Sequence, residues 1–487
     1  MVYNGVQNIM NLEEKMSNYG YISGMGGGGR RGGRNRKPSI WKKILILIII
    51  LAIVCGGAYA GFRYLRARGL SISQFAQNIG KPAQTTAAPE TTAAPSIDDY
   101  LARASALAAS YDYDGAISLL SDPSIASDEK VSTAINEYQT IKASLVRQDV
   151  KTCPHVFFHT LIWDATKAFD GDSKAAGYNE VMTTINEFNK ILQNLYDRGY
   201  VLVRIHDLAH EEDDPATGTK HMVEGNILLP PGKKPIVMSQ DDVCYYEYMT
   251  GDGFANRLVI GDDGKPTTEM DMPDGTKQRG NFDLIPILDQ FVKEHPDFSY
   301  KGAKAIIAVT GYNGVFGYRT DASYQGKNPN IEADKEMVKK IAQALKDDGY
   351  ELASHSWGHR HLGSIPYQDF VTDTDKWDQN VASLIGPTDI ILYPFGTDIA
   401  DWHPYKDDNP RYIYLRDKGF RYFCTVDSSK YWVQINGDVF RQGRRNLDGY
   451  RMWRDITEPN NQKLSDLFNA SEVFDPVRPT PVGEIRS

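Results

Sequence analysis

From residue 153 onward, apolar runs of five to seven residues alternate with helical patterns along the chain. Strand-like runs occupy 155–159, 200–205, 235–240, 304–309, 350–354, 389–393 and 420–426. Between them, Ile185, Phe188, Leu192 and Leu195 form one apolar stripe at helical spacing, and Val338, Ile341 and Leu345 form another. Gly199, Gly349 and Gly419 each end a helical pattern just before an aromatic residue. A glycine there can take the left-handed cap that turns the chain back into a sheet. Seven strands alternating with helices predict an α/β fold with a parallel sheet. His159, the pair Asp241-Asp242, His355, Phe395-Gly396 and Asp427 each fall at or just past the end of a different strand. In a closed barrel those ends share one face. An open sheet would gather only the ends beside its switch point, so the placement favours a barrel.

Outside this alternation the pattern changes. Residues 44–62 are nineteen in a row without a charge, enough to cross a bilayer as a transmembrane helix. The basic, Gly-rich leader 1–43 holds eight Lys/Arg against two Asp/Glu, and the rest of the chain is net −15. The positive-inside rule then predicts a single-pass protein of the cell membrane, its N-terminus cytoplasmic and its folded domains extracellular. Ala58-Tyr59-Ala60 also fits a processing site, so a cleaved signal peptide is the alternative. Residues 63–96 read as a Thr/Pro/Ala-rich linker that cannot bury a core. Residues 97–150 are a helical spacer resembling one tetratricopeptide hairpin, too few copies to stand alone. A barrel is expected over 151–455, interrupted at 243–281 by an insertion with hairpin-turn signals such as Gly251-Asp252-Gly253. The tail 456–487 is expected to be disordered or draped over the barrel.

Cys153, Cys244 and Cys424 are an odd number outside the apolar span, and buried, inert thiols are expected. The acidic exterior excludes a nucleic-acid partner.

Candidate chemistry concentrates in two places. Adjacent strand residues point to opposite sides, so at a strand end one carboxylate of Asp241-Asp242 can face a metal while the other stands beside its water. His355 and His359 have the i, i+4 spacing that puts two imidazoles on one face of a helical turn. One carboxylate and two imidazoles form an open three-ligand site. That donor set suits zinc, with nickel, cobalt or iron left open. The residues predict a metal-dependent hydrolase.

At this point the chain resembles the polysaccharide deacetylases, carbohydrate esterase family four. Ser239-Gln240-Asp241-Asp242 looks like that family's Thr-Phe-Asp-Asp motif. His355-Ser356-Trp357-Gly358-His359 matches its His-Ser/Thr-x-x-His motif, and Tyr393-Pro394-Phe395-Gly396 resembles its Arg-x-Pro-Tyr motif. Val156-Phe157-Phe158-His159 resembles the permuted branch, which includes poly-N-acetylglucosamine deacetylases. The resemblance implies an irregular (β/α)7 barrel that removes N-acetyl groups from N-acetylglucosamine-containing glycans such as peptidoglycan or poly-N-acetylglucosamine. It also implies roles. Asp242, His355 and His359 would hold a divalent metal, Zn2+ first. Asp241 would be the base, His159 the acid, and Tyr393 and Phe395 would serve substrate and oxyanion. Two positions depart from the family. Leu392 stands where an arginine usually positions the base, with Arg204, Arg444 and Arg445 as substitutes, and Val243 replaces a glycine after the acid pair. These departures motivate one rival, a degenerate barrel that only binds glycan. The other rival is a membrane-anchored scaffold acting through 97–150.

Overall fold

The computed structural model describes residues 96–483 apart from Pro273. The predicted leader, the 44–62 span and nearly all of the linker lie outside the described residues. Among the described residues no helix is long and apolar enough to cross a membrane.

Eight strands build the core: β1 His155–Phe158, β2 Tyr200–Leu202, β3 Lys234–Gln240, β4 Ile306–Val309, β5 Glu351–Ser354, β6 Ile390–Leu392, β7 Tyr422–Val426 and β8 Val439–Asn446. Seven of them close into an all-parallel ring in the order β1-β3-β4-β5-β6-β7-β8 and back to β1. The expected barrel is present, with one substitution in its membership. The run at 200–205 contributes only β2, which pairs with the start of β3. The place it was expected to fill belongs to β8, which no apolar run announces. Its sequence Val-Phe-Arg-Gln-Gly-Arg-Arg-Asn reads polar, yet all eight residues are buried. Gly199, Gly349 and Gly419 have φ of 77°, 95° and 103°, the left-handed caps foreseen.

Side chains alternate across the barrel wall as strand geometry requires. Ile307 and Val309 of β4 pack with Val338, Ile341 and Leu345 of the helical layer. Ile306 and Ala308 join Val237, Ala353, Ile390, Leu392 and Phe440 in a second cluster. That cluster runs on into the spacer, whose three helices are α1 Ile97–Ala109, α2 Tyr113–Leu120 and α3 Glu129–Ala143. A capping box at Ser96 and Asp99 starts α1. The Tyr111 hydroxyl donates to the Asp297 carbonyl at 2.7 Å, and the Lys301 N–H donates to the Ser110 carbonyl at 2.7 Å. These bonds seat the spacer on the loop leading into β4, so the barrel supplies the neighbours a lone hairpin lacks.

The insertion is a three-stranded antiparallel sheet of Arg257–Ile260, Pro266–Asp271 and Lys277–Gly280. Far from disordered, the tail is pinned by Arg478, whose guanidinium bonds the Glu187 carboxylate where neither side chain is exposed. All three described cysteines are free and buried. Burial pushes the Cys244 and Cys424 thiols up to about 12.

Near the starts of β5 and β6, His206 lies between Glu351, which it contacts through Nδ1, and Asp389, 3.1 Å from Nε2. Burial alone would lower its pKa, but hydrogen bonds and charge from Asp389 and Glu351 raise it to about 10. A folded pKa above the unfolded value of 6.5 stabilises fully below pH 6.5 and is lost as pH rises through 10. The ring is 40% exposed, so solvent screening holds the gain to about 1 kcal/mol. Urea midpoints at pH 6 and pH 10 should therefore differ less in His206→Gln than in the parent. Equal pH slopes would show that the cluster adds nothing.

Candidate functional site

Asp241 follows the last residue of β3, and Asp242 turns the chain sharply with φ of 61°. His355 follows β5 directly. The helical turn expected for the two histidines is absent. Residues 355–361 form an irregular loop in which Ser356 and His359 adopt φ of 57° and 49°. Asp373 holds this loop by accepting from the Trp357 and Gly358 N–H groups at 2.9 and 2.8 Å. The Ser356 hydroxyl accepts from the Arg360 N–H at 3.1 Å. Left-handed backbone at non-glycine residues costs roughly 1–3 kcal/mol each and persists where surrounding structure enforces it. Here it turns both imidazoles to one point.

The ligand-capable atoms of Asp242, His355 and His359 all lie within 4.8 Å of one another. Nε2 of His359 is 3.6 Å from Oδ2 of Asp242, and Nε2 of His355 is 3.7 Å from Oδ2 of Asp241. Nδ1 of His355 donates to the Leu392 carbonyl at 2.8 Å, which leaves the Nε2 lone pair facing the carboxylates. Burial lowers the His355 pKa against the opposing pull of Asp241 and Asp242, so the ring is neutral, the form that ligates. A carbonyl fixing the far nitrogen of an imidazole is the usual support of a metal ligand. This donor chemistry fits a divalent cation.

Asp241 has a different setting. Nη1 of Arg444 donates to both its oxygens, at 2.6 and 2.9 Å, and both side chains are buried. Burial would raise the Asp241 pKa, but the Arg444 charge outweighs it and brings the carboxyl to about 2. Arg444 also lies over the Phe157 ring, 4.5 Å from its centroid. The arginine missing at Leu392 thus arrives from β8. Arg204 instead bonds the Lys301 carbonyl, and Arg445 bonds Asp466. His159, buried after β1, donates from Nδ1 to the Val181 carbonyl at 3.0 Å.

Not every expected group faces this cluster. The Tyr393 ring is buried, its hydroxyl 2.8 Å from that of Tyr405, which donates to Asp398 at 3.0 Å. Phe395, at φ 56°, packs its ring against His359 and stacks on His361 at 4.0 Å. Asp427 caps a turn by accepting from the Ser429 N–H. The Tyr245 ring is buried with its hydroxyl donating to Asp283, and Trp357 donates to Asp321.

Residues 301–408 match the family model described as polysaccharide deacetylase. That segment of the chain is similar to the polysaccharide deacetylase domain. The matched segment holds His355, His359 and Tyr393–Gly396, while β1, β3 and β8 of the barrel bring in His159, Asp241-Asp242 and Arg444 from outside it. No curated protein matches the chain. Among solved structures, the Streptococcus pyogenes deacetylase PplD in complex with acetate shares 13% identity, covering 68% of this chain and all of that one, with a TM-score of 0.33. BA0330 from Bacillus anthracis, solved as a candidate polysaccharide deacetylase, shares 11% identity over 62% of this chain and 65% of its own, with a TM-score of 0.32.

Proposed function

We propose that the domain removes N-acetyl groups from N-acetylglucosamine units of a cell-surface or exopolysaccharide glycan, peptidoglycan or poly-N-acetylglucosamine. The observation that supports this reading best is the meeting of Asp242, His355 and His359 beside an Asp241 clamped by Arg444. Asp242, His355 and His359 would hold a divalent cation, most simply zinc, which when bound supplies a Lewis acid for the acetamide oxygen and acidifies a water. Asp241, kept ionised, orients that water and accepts its proton. The water oxygen bonds the acetyl carbon as its proton passes to Asp241, and the amide C–N bond then breaks with its electron pair on nitrogen. His159 delivers the proton that makes the nitrogen a free amine, so acetate and a glucosamine unit leave. The backbone around Phe395 is the candidate donor to the oxyanion. Trp163 and Trp402, exposed on loops after β1 and β6, offer flat faces for sugar rings. The apolar stretch 44–62 would tether the domain to the membrane, with the domain outside the cell.

Acetate release from a panel of defined N-acetylated glycans tests this reading. The parent should act on at least one glycan, and Asp241→Asn should be slower by roughly 100-fold or more. A parent no faster than the variant on every glycan would defeat it.

A further inference from the structure

The first residues of the insertion return to the acid pair. Four positions after Asp242, the Tyr246 hydroxyl donates to Oδ1 of Asp242 at 2.5 Å and lies 3.2 Å from the Thr310 hydroxyl. The left-handed turn at Asp242 makes this reach possible, closed by the Cys244 N–H donating to the Asp242 carbonyl at 2.6 Å. The Tyr246 ring is buried and has little freedom to swing away. Tyr248 stacks on it at 5.3 Å and 15°, and Tyr312 at 5.3 Å and 28°. The other oxygen, Oδ2, is the one 3.6 Å from Nε2 of His359. The two carboxylate oxygens therefore have separate assignments, one to a phenol and one to the His359 imidazole.

We propose that Tyr246 is a positioning residue for the metal centre, holding Asp242 so that it ligates through Oδ2 alone. This inference rests on the reading of Asp242, His355 and His359 as cation ligands. A carboxylate free to turn about its Cβ–Cγ bond can offer either oxygen or both, and the disorder lowers affinity. A fixed hydrogen bond from behind removes that freedom and sets the ligand's direction. Val243 replaces the family's glycine at the start of this loop, and the loop it opens supplies a hydroxyl to the ligand.

The test is cation affinity of the metal-free domain, read by cobalt absorbance and by zinc competition against a chromophoric chelator. Parent, Tyr246→Phe and Asp242→Asn are compared. Phenylalanine keeps the stacked ring and deletes one oxygen. The parent should take up one equivalent, Asp242→Asn should lose it, and Tyr246→Phe should bind roughly 10–100-fold more weakly. Acetate release by Tyr246→Phe should recover largely at saturating cation. Equal affinity of Tyr246→Phe and parent would overturn the positioning role and leave the metal centre standing. A parent that binds no cation, or binds it as Asp242→Asn does, would overturn the ligand set and the proposal together.

Discussion

Replacing Arg444 by methionine is expected to destabilise the domain by about 3–5 kcal/mol and to slow turnover by roughly 10²–10⁴-fold. Methionine fills similar space but leaves the Asp241 carboxylate buried without its cation. Such a group escapes the penalty by taking a proton, so its pKa should climb from about 2 toward neutrality. The two proteins should then respond oppositely to acid. In the parent the depressed pKa stabilises above the unfolded value of 3.8 and that contribution fades as pH falls through about 2. In the variant, acid favours the protonated carboxyl and narrows the stability gap. Urea unfolding at pH 7 and pH 5 reads this difference. The acidic limb of kcat/KM should also move to higher pH, because the protonated carboxyl cannot accept a proton. A variant that is merely less stable, with its acidic limb unmoved, would reduce Arg444 to a packing role. Arg444→Lys should fall between, since a lysine restores charge without the planar fork.

The second large effect is expected at the tail. Arg478→Met should cost about 3–5 kcal/mol, because the Glu187 carboxylate is left charged and dry. Arg478 also donates to the Asn179 and Met182 carbonyls at 2.8 and 2.6 Å. Between those residues lies Val181, whose carbonyl accepts from His159. Loss of the guanidinium should therefore loosen the seat of the proposed acid as well as the fold. Thermal unfolding and acetate release measured on the same samples separate the two contributions. Changing both partners, Glu187→Met with Arg478→Met, should regain much of the lost stability while turnover stays low. A double variant as unstable as the single one would refute the unpaired charge as the cause.

Six of the seven barrel strands were legible because their apolar runs are largely buried on both faces. Strand β8 was not, because it inverts the usual rule. Arg441, Arg444 and Arg445 lie almost fully buried in it, each compensated by a carboxylate far away in the chain: Asp398, Asp241 and Asp466. No local pattern reveals that kind of compensation. The metal-ligand candidates were legible for the opposite reason, since spacing and strand ends place one carboxylate of Asp241-Asp242 with His355 and His359, and the family resemblance implied that it is Asp242. Their backbone was not, because the i, i+4 interval suits a helical turn as well as a loop forced into left-handed φ at Ser356 and His359. Tyr246 carried no mark of its role. Its hydroxyl matters only because the turn at Asp242 doubles the chain back.

The ring closes late. β1 has β3 on one side and β8 on the other, so residues 439–446 must emerge from the ribosome before the first strand has both neighbours. Until then β1 and β7 are bare edges, open to the wrong partners, and pairing across nearly the whole domain is slow to form. A chain interrupted anywhere before that strand would also lack the guanidinium that clamps Asp241. Nascent or truncated copies are thus unclamped as well as sticky, and the finished site waits on a nearly complete barrel.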